Sequence, residues 1–147
     1  PAKFTAVGRD GAVDKQESLN ISLAPLGDRN KSYHFIVGPL QDSIYDAARG
    51  FITDGIDPRA GKDDTTWNGD WRYVSEFDPA RKRWTAMMTI PFKTLGVASP
   101  AAGTVWQGNV GRKNFARQAV KDFIWSFNPE CKTFSDPRAF GDLVFEK

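Results

Sequence analysis

In residues 18–23, SLNISL, the aliphatic side chains Leu19, Ile21 and Leu23 alternate with small polar residues. An alternation of period two puts the three aliphatic side chains on one side of an extended chain and the polar ones on the other, as in a half-buried β-strand. Pro25 ends the run, because proline cannot donate to a strand ladder. We therefore predict a strand whose apolar side faces a core.

The same alternation recurs along the chain. Tyr33, Phe35 and Val37 share one face of a second segment, residues 32–37. Further alternating runs occupy residues 43–45, 71–75, 84–90, 104–112, 123–127 and 140–145. Glycines (13) and prolines (9) separate them, as is typical of strands joined by turns. About eight strands predict an all-β fold, an antiparallel β-sandwich of jelly-roll or immunoglobulin-like type, in a single domain over residues 1–147.

The connections between these runs contain residues that predict turns and loops. An Asn-Gly pair lies inside the segment WNGDW, residues 67–71, and predicts a tight hairpin turn with residues 71–75 as its return strand. Residues 92–95 are predicted as one helical turn ended by Gly96. Residues 49–66 show no periodicity and are rich in aspartate, which indicates a long surface loop.

Composition excludes several classes of protein. The net charge is +2 and the charges are interspersed, so nucleic acid is not an expected partner. No run approaches the roughly 18 apolar residues of a membrane-spanning helix, and no membrane partner is expected. One cysteine, Cys131, and one histidine, His34, permit neither an internal disulfide nor a zinc site rich in these residues.

Several segments, taken in order, resemble family 9 carbohydrate-binding modules. They are Arg9-Asp10-Gly11, residues 17–23, 33–37, 67–71, 84–96 and 106–112, Trp125 and residues 140–145. The resemblance covers nearly the whole chain and implies a jelly-roll sandwich, distantly related to DOMON-type domains, that does no chemistry itself. The family's usual strands before Arg9 are missing, so we expect either a module truncated at its N-terminus or one that pairs with a preceding segment.

The resemblance also implies a biological setting. Such modules belong to secreted bacterial polysaccharide-degrading proteins, which implies an extracellular, cell-surface or periplasmic location and a covalently attached or neighbouring catalytic domain. The expected ligand is a polysaccharide or oligosaccharide of plant or microbial origin. A structural calcium ion is a further expectation, with no ligand residues assigned.

Four site positions follow from the resemblance. The two tryptophans that clamp a terminal sugar in the family fall on Asp14 and Phe134, of which only Phe134 is aromatic, in a loop we expect to be exposed. A carboxylate that binds sugar hydroxyls falls on Asn20. An arginine falls on Arg117 if a small gap is allowed.

Five tryptophans offer further aromatic faces. Trp67 and Trp71 flank the predicted turn, where they would either stabilise a hairpin as a cross-strand pair or stack on a pyranose. Trp84, Trp106 and Trp125 lie in alternating runs and are expected in the core.

The same residues also allow alternative interpretations of the function. Catalysis is not expected, because no Gly-x-Ser-x-Gly elbow accompanies His34 and the sequence predicts turn positions for carboxylates such as Glu76 and Asp78. His34 with Met87 or Met88 would be needed for a haem site. The main alternative is a structural or interaction β-sandwich that packs on neighbouring domains and binds no sugar.

Overall fold

The computed structural model describes residues 4–81, 83–113 and 133–146. Within them lie eight strands: β1 (Ser18–Ala24), β2 (Ser32–Val37), β3 (Ile44–Arg49), β4 (Asp63–Asp64), β5 (Arg72–Asp78), β6 (Arg83–Thr89), β7 (Val105–Lys113) and β8 (Gly141–Val144). Three short 3₁₀ turns cover Val13–Lys15, Phe92–Leu95 and Pro137–Ala139. The predicted all-β class is confirmed.

The strands form two sheets. The larger has the order β4-β3-β2-β1-β7-β8 and the smaller pairs β5 with β6. Every pairing between these strands is antiparallel. The two sheets pack face to face through one apolar cluster to which both contribute, so the domain is a β-sandwich.

The core lies between the sheets, and the period-two pattern predicts it. Leu19, Ile21 and Leu23 pack against Tyr33, Phe35 and Val37, which face them across the β1–β2 ladder. From the smaller sheet Tyr73, Trp84, Ala86 and Met88 complete the cluster, with Trp106 from β7. The core position expected for Trp106 is confirmed, and Trp84 is partly buried and packs against the core. Trp125 lies outside the described residues.

The helical turn predicted for residues 92–95 is also confirmed. Gly96 follows it with φ of 67°, and its backbone N–H donates to the carbonyls of Lys93 and Phe92. A left-handed residue is the usual end of such a turn, and glycine adopts it without steric cost.

The hairpin predicted at Asn68-Gly69 is wrong. Neither residue has the positive φ that the turn requires, and neither lies in a strand; β5 begins at Arg72 and pairs with β6 instead. The N–H of Gly69 donates to Oδ2 of Asp46 at 2.6 Å, so this segment is held by a buried carboxylate and not by a partner strand. A Cβ on Gly69 would lie 2.7 Å from the Trp67 ring, which shows that close packing is what demands glycine here.

Two further differences concern the region after β2. The strand predicted at residues 43–45 continues to Arg49, and the predicted loop that follows it contains the two-residue strand β4. Within the described part of the chain, no helix is long and apolar enough to cross a membrane.

Candidate functional site

The face of the larger sheet that points away from the core is buried but polar. Its rows follow from the register: Ser22 lies beside His34 on one side and Asn109 on the other, and Asn20 lies one row along β1. Ser22 is 0% exposed, Asn109 1% and Asn20 4%. A buried sheet face is normally apolar, because buried polar groups need hydrogen-bond partners. The polar side chains on this face therefore indicate that it makes hydrogen bonds.

Part of that surface is covered by the segment around Phe134. Its backbone carbonyl accepts hydrogen bonds from Ser22 Oγ at 3.3 Å and Asn109 Nδ2 at 3.1 Å. The following 3₁₀ turn is capped by Asp136, whose side chain accepts from the N–H of Arg138. These contacts fix Phe134 against the sheet, and its side chain is buried at 8% exposed. The exposed loop position expected for Phe134 is therefore wrong.

Beside this segment a cavity of about 630 Å³ opens over β1, β2 and β3. The described residues that line it come from the segment before β1, from these strands, from the end of β7 and from the segment at 133–135; they are Asp10, Gly11, Ala12, Asp14, Asn20, His34, Ile36, Tyr45, Lys113, Thr133, Phe134 and Ser135. Carboxylates, an amide, an imidazole, hydroxyls and an amine thus share the lining with the buried ring of Phe134. Such a mixture of an apolar surface with a few placed polar groups is typical of a site for a small polar ligand.

A chain of hydrogen bonds organises the floor of the cavity. His34 Nδ1 lies 3.2 Å from Asp63 Oδ2, and His34 Nε2 lies 3.3 Å from Asn20 Oδ1. Asp63 also receives Arg49 Nε at 2.8 Å and the Tyr45 hydroxyl at 3.5 Å. Asp63 does not line the cavity itself but orients two residues that do.

The electrostatics of this chain follow from its burial and pairing. Burial acts to raise the pKa of Asp63, but the hydrogen bonds and charges of His34 and Arg49 outweigh it and lower the pKa to about 2. Burial, followed by the Asp63 carboxylate, raises the pKa of Tyr45 above its ordinary value of 10. At neutral pH the cavity floor therefore combines an ionised Asp63 with a neutral Tyr45 hydroxyl.

The site residues expected from sequence lie in different parts of the structure. Asn20 and Phe134 line the same cavity, as does Asp14. Trp71 is 6% exposed and lies in the core, where its ring meets Phe35; this placement supports its structural role. Arg117 lies outside the described residues.

Trp67 packs against the core and also borders a second depression. It packs on Tyr33, with ring centroids 4.8 Å apart, and also borders a separate shallow depression of about 290 Å³ with Asn68 and Lys93. It does not meet Asn20 or Phe134 in the larger cavity. A ligand role for Trp67 stays a prediction.

No sequence motif marks Tyr45 as a binding residue, and the sequence suggests His34 only as part of a catalytic or haem site. The sequence feature that could have indicated His34 is the second face of β2, where it lies between Ser32 and Ile36 in a strand that is otherwise mostly apolar. The contact of His34 with Asp63 joins residues 29 positions apart, and local pattern carries no information about it.

Among the residues that the structure describes, neither ring nitrogen of His34 contacts a hydroxyl or thiol. Its Nε2 faces the amide of Asn20 rather than a hydroxyl, so a Ser-His-Asp geometry is not assembled here. Met87 is 65% exposed on the outer face of β6, on the smaller sheet, whereas His34 lies on the far face of the larger one. The haem alternative therefore gains no support from His34 and Met87.

Two aspartates of the predicted loop at residues 49–66 pair with Arg59. Arg59 Nη2 lies 2.7 Å from Asp57 and its Nη1 lies 3.3 Å from Asp64. The described residues contain no group of three or more His, Cys, Asp or Glu side chains placed to hold a metal ion. Calcium binding stays a prediction.

Comparison with known proteins gives one informative match. No family model matches the chain, and no curated protein does so. Among solved structures, a "putative carbohydrate-binding protein" from Bacteroides uniformis ATCC 8492 aligns with a TM-score of 0.63 at 20% sequence identity. The alignment covers 96% of this chain and 66% of that one. At this identity the match shows a shared fold.

Proposed function

We propose that this domain binds carbohydrate, without catalysing a reaction, in the cavity formed by Asn20, His34, Tyr45 and Phe134. The observation that carries the proposal is the buried polar face of the larger sheet, because a fold that needed only stability would cover that face with apolar side chains. Asn20 is 4% exposed and His34 8%, yet both line an open cavity.

The chemistry of the lining fits a sugar. A pyranose presents hydroxyls that both donate and accept, together with a C–H face that packs on aromatic rings. Asn20 and Tyr45 supply neutral groups for the hydroxyls, and Asp14 and Lys113 supply charged ones. Phe134 supplies the apolar surface. The volume of about 630 Å³ lies in the usual range for small-molecule sites, about 300–1,000 Å³.

The structural neighbour named for carbohydrate binding supports the ligand class. We infer further that the domain is an accessory module of the family 9 type, located outside the bacterial cytoplasm and attached to or neighbouring a polysaccharide-active catalytic domain. Its contribution would be to raise the effective concentration of that domain at the polymer. A stabilising calcium ion belongs to the same proposal.

The test is affinity electrophoresis of the domain against soluble xylan, β-glucan, mannan and pectin, with calcium and with chelator, followed by fluorescence titration of each polymer that retards it. Retardation by one polymer supports the proposal and identifies the ligand class. A folded, monomeric sample that none of the four retards contradicts it and favours the structural or interaction domain.

Two variants then locate the site. Asn20→Ala removes a cavity amide and is expected to weaken binding about tenfold, since one buried hydrogen bond to a ligand is typically worth about 1 kcal/mol or more. Asn68→Ala is the matched control, because Asn68 lies by the shallow depression outside the cavity. If Asn68→Ala weakens binding and Asn20→Ala does not, the site is the depression beside Trp67.

A further inference from the structure

The single histidine of the chain contacts a hydrogen-bonding side chain through each ring nitrogen. Its Nδ1 faces Asp63 Oδ2 at 3.2 Å and its Nε2 faces Asn20 Oδ1 at 3.3 Å. Because an ionised carboxylate can only accept, Nδ1 carries a proton whenever Asp63 is charged. The proton that His34 gains or loses on titration is therefore the one on Nε2, which points at Asn20.

The protonation of Nε2 determines which atom of the Asn20 amide can form a hydrogen bond with it. With Nε2 protonated, the ring donates to the amide oxygen of Asn20, and the amide nitrogen donates to Ser18 Oγ at 3.3 Å. With Nε2 deprotonated, two acceptors would face each other. A half-turn of the amide restores the bond, because the nitrogen then donates to Nε2 and the hydroxyl of Ser18 donates to the amide oxygen.

Burial raises the energetic cost of the mismatched amide orientation. Asn20 is 4% exposed and Ser18 is 0% exposed, so a mismatched pair would leave a buried polar group unsatisfied. Each protonation state of His34 thus allows one amide orientation with both neighbours satisfied.

We propose that His34 is a proton switch for the cavity: the charge on its ring sets the orientation of the Asn20 amide and so changes which hydrogen-bonding group this residue offers to a ligand. The ligand part of this inference rests on the proposed carbohydrate function, whereas the switch itself rests on the contacts of His34. The charged ring fixes the amide oxygen of Asn20 towards Nε2 and the neutral ring fixes the amide nitrogen there, so the two states are expected to differ in affinity for the glycan.

Several other titratable or charged groups surround the ring. Asp63 comes from β4, Arg49 lies on its second oxygen, and Tyr45 from β3 meets the imidazole edge-on, with ring centroids 5.7 Å apart. Asp10, Asp14 and Lys113 line the same cavity. Aspartate, lysine and arginine side chains ordinarily keep their charge between pH 5 and 8, and a tyrosine with a raised pKa stays neutral. Imidazole is the group that ordinarily titrates in that range.

The switch is tested first without any ligand. On the ¹⁵N-labelled protein, the ring signals of the single histidine and the assigned side-chain amide signals of Asn20 are followed by NMR from pH 5 to 8. We expect the Asn20 amide signals to shift with the same midpoint as the ring. The Asn68 amide, which donates to the Thr66 carbonyl away from the cavity, is the internal control. Asn20 signals that do not follow the ring, or that move no more than those of Asn68, overturn the switch.

The second arm measures binding of xylan, β-glucan, mannan and pectin at pH 5 and pH 8. A polymer that binds is expected to differ about tenfold in affinity between the two pH values, the scale of one hydrogen bond. Equal affinity at both pH values overturns the coupling and leaves the proposed function standing. If no polymer binds at either pH, the proposed function fails, and the NMR titration alone decides the switch.

Discussion

The indole Nε1 of Trp71 donates a hydrogen bond to Oδ2 of Asp46 at 3.0 Å, and Asp46 is 0% exposed. The same carboxylate oxygen receives the N–H of Gly69, and the other oxygen pairs with the guanidinium of Arg9. One buried side chain in the middle of β3 thus fixes both the segment before β1 and the segment before β5. It also explains why the Trp71 ring is held in the core.

Replacing Asp46 with alanine is expected to lower the free energy of unfolding by about 3 kcal/mol. The substitution leaves the indole N–H of Trp71 and the N–H of Gly69 without their acceptor, and each unsatisfied buried donor costs about 1–3 kcal/mol. Urea denaturation followed by tryptophan fluorescence measures the change. Asp70→Ala is the control, because the Asp70 side chain is 82% exposed and its ion pair with Lys93 spans 3.7 Å; its effect should stay below about 1 kcal/mol. Equal losses for the two variants would refute the role of Asp46.

The strands were predictable where one face meets the core. β1 and β2 alternate cleanly, and the structure places their apolar positions in the sandwich interior. The strand predicted at residues 43–45 stops just before Asp46. The structure continues β3 through Asp46, which it buries completely. Its partners Arg9 and Trp71 lie 37 and 25 positions away, so nothing in the local sequence marks it as a strand residue.

The cavity was predictable only in part. The family resemblance suggested Asn20 and Phe134, which the structure brings to one cavity. The resemblance could not supply the contact between His34 and Asp63, because Asp63 belongs to a segment without periodicity. A two-residue strand such as β4 gives no sequence pattern, and its pairing with β3 is set by tertiary packing.

Phe134→Ala is expected to destabilise the domain by about 3 kcal/mol, as deletion of a buried phenylalanine does. The ring is 8% exposed and its backbone is tied to Ser22 and Asn109. Thermal and urea unfolding measure the loss. Phe134→Leu keeps most of the buried apolar volume and is expected to cost about 1 kcal/mol, which makes it the better variant for testing sugar stacking. A midpoint unchanged in Phe134→Ala would show that the ring is exposed in solution.

Asp63 is expected to govern part of the acid stability. Its pKa of about 2 in the folded protein lies below the ordinary 3.8, so its contribution is complete above about pH 4 and is lost as the pH falls towards 2. The difference corresponds to roughly 2 kcal/mol. Asp63→Asn should therefore lower stability at pH 6 and show a smaller further loss between pH 4 and 2 than the wild type. Parallel profiles for the two proteins over that interval would contradict the assignment, and the exposed Asp70→Asn serves as reference.

A side chain at Gly50 is expected to destabilise the domain through a steric clash. Comparison with Gly27 separates the cost of this clash from the cost of the left-handed backbone conformation. Gly50 has φ of 78°, and a Cβ there would lie 1.9 Å from the carbonyl oxygen of Asn30, in the turn that leads into β2. Gly27 has nearly the same φ, 73°, with no atom within 4 Å of a Cβ. Gly27→Ala should thus cost only the left-handed conformation, about 1–2 kcal/mol. Gly50→Ala adds the collision and is expected to cost roughly 3 kcal/mol or more. Urea unfolding of both variants gives the difference, and equal losses would mean that the end of β3 does not pack against the Asn30 turn as the structure places it.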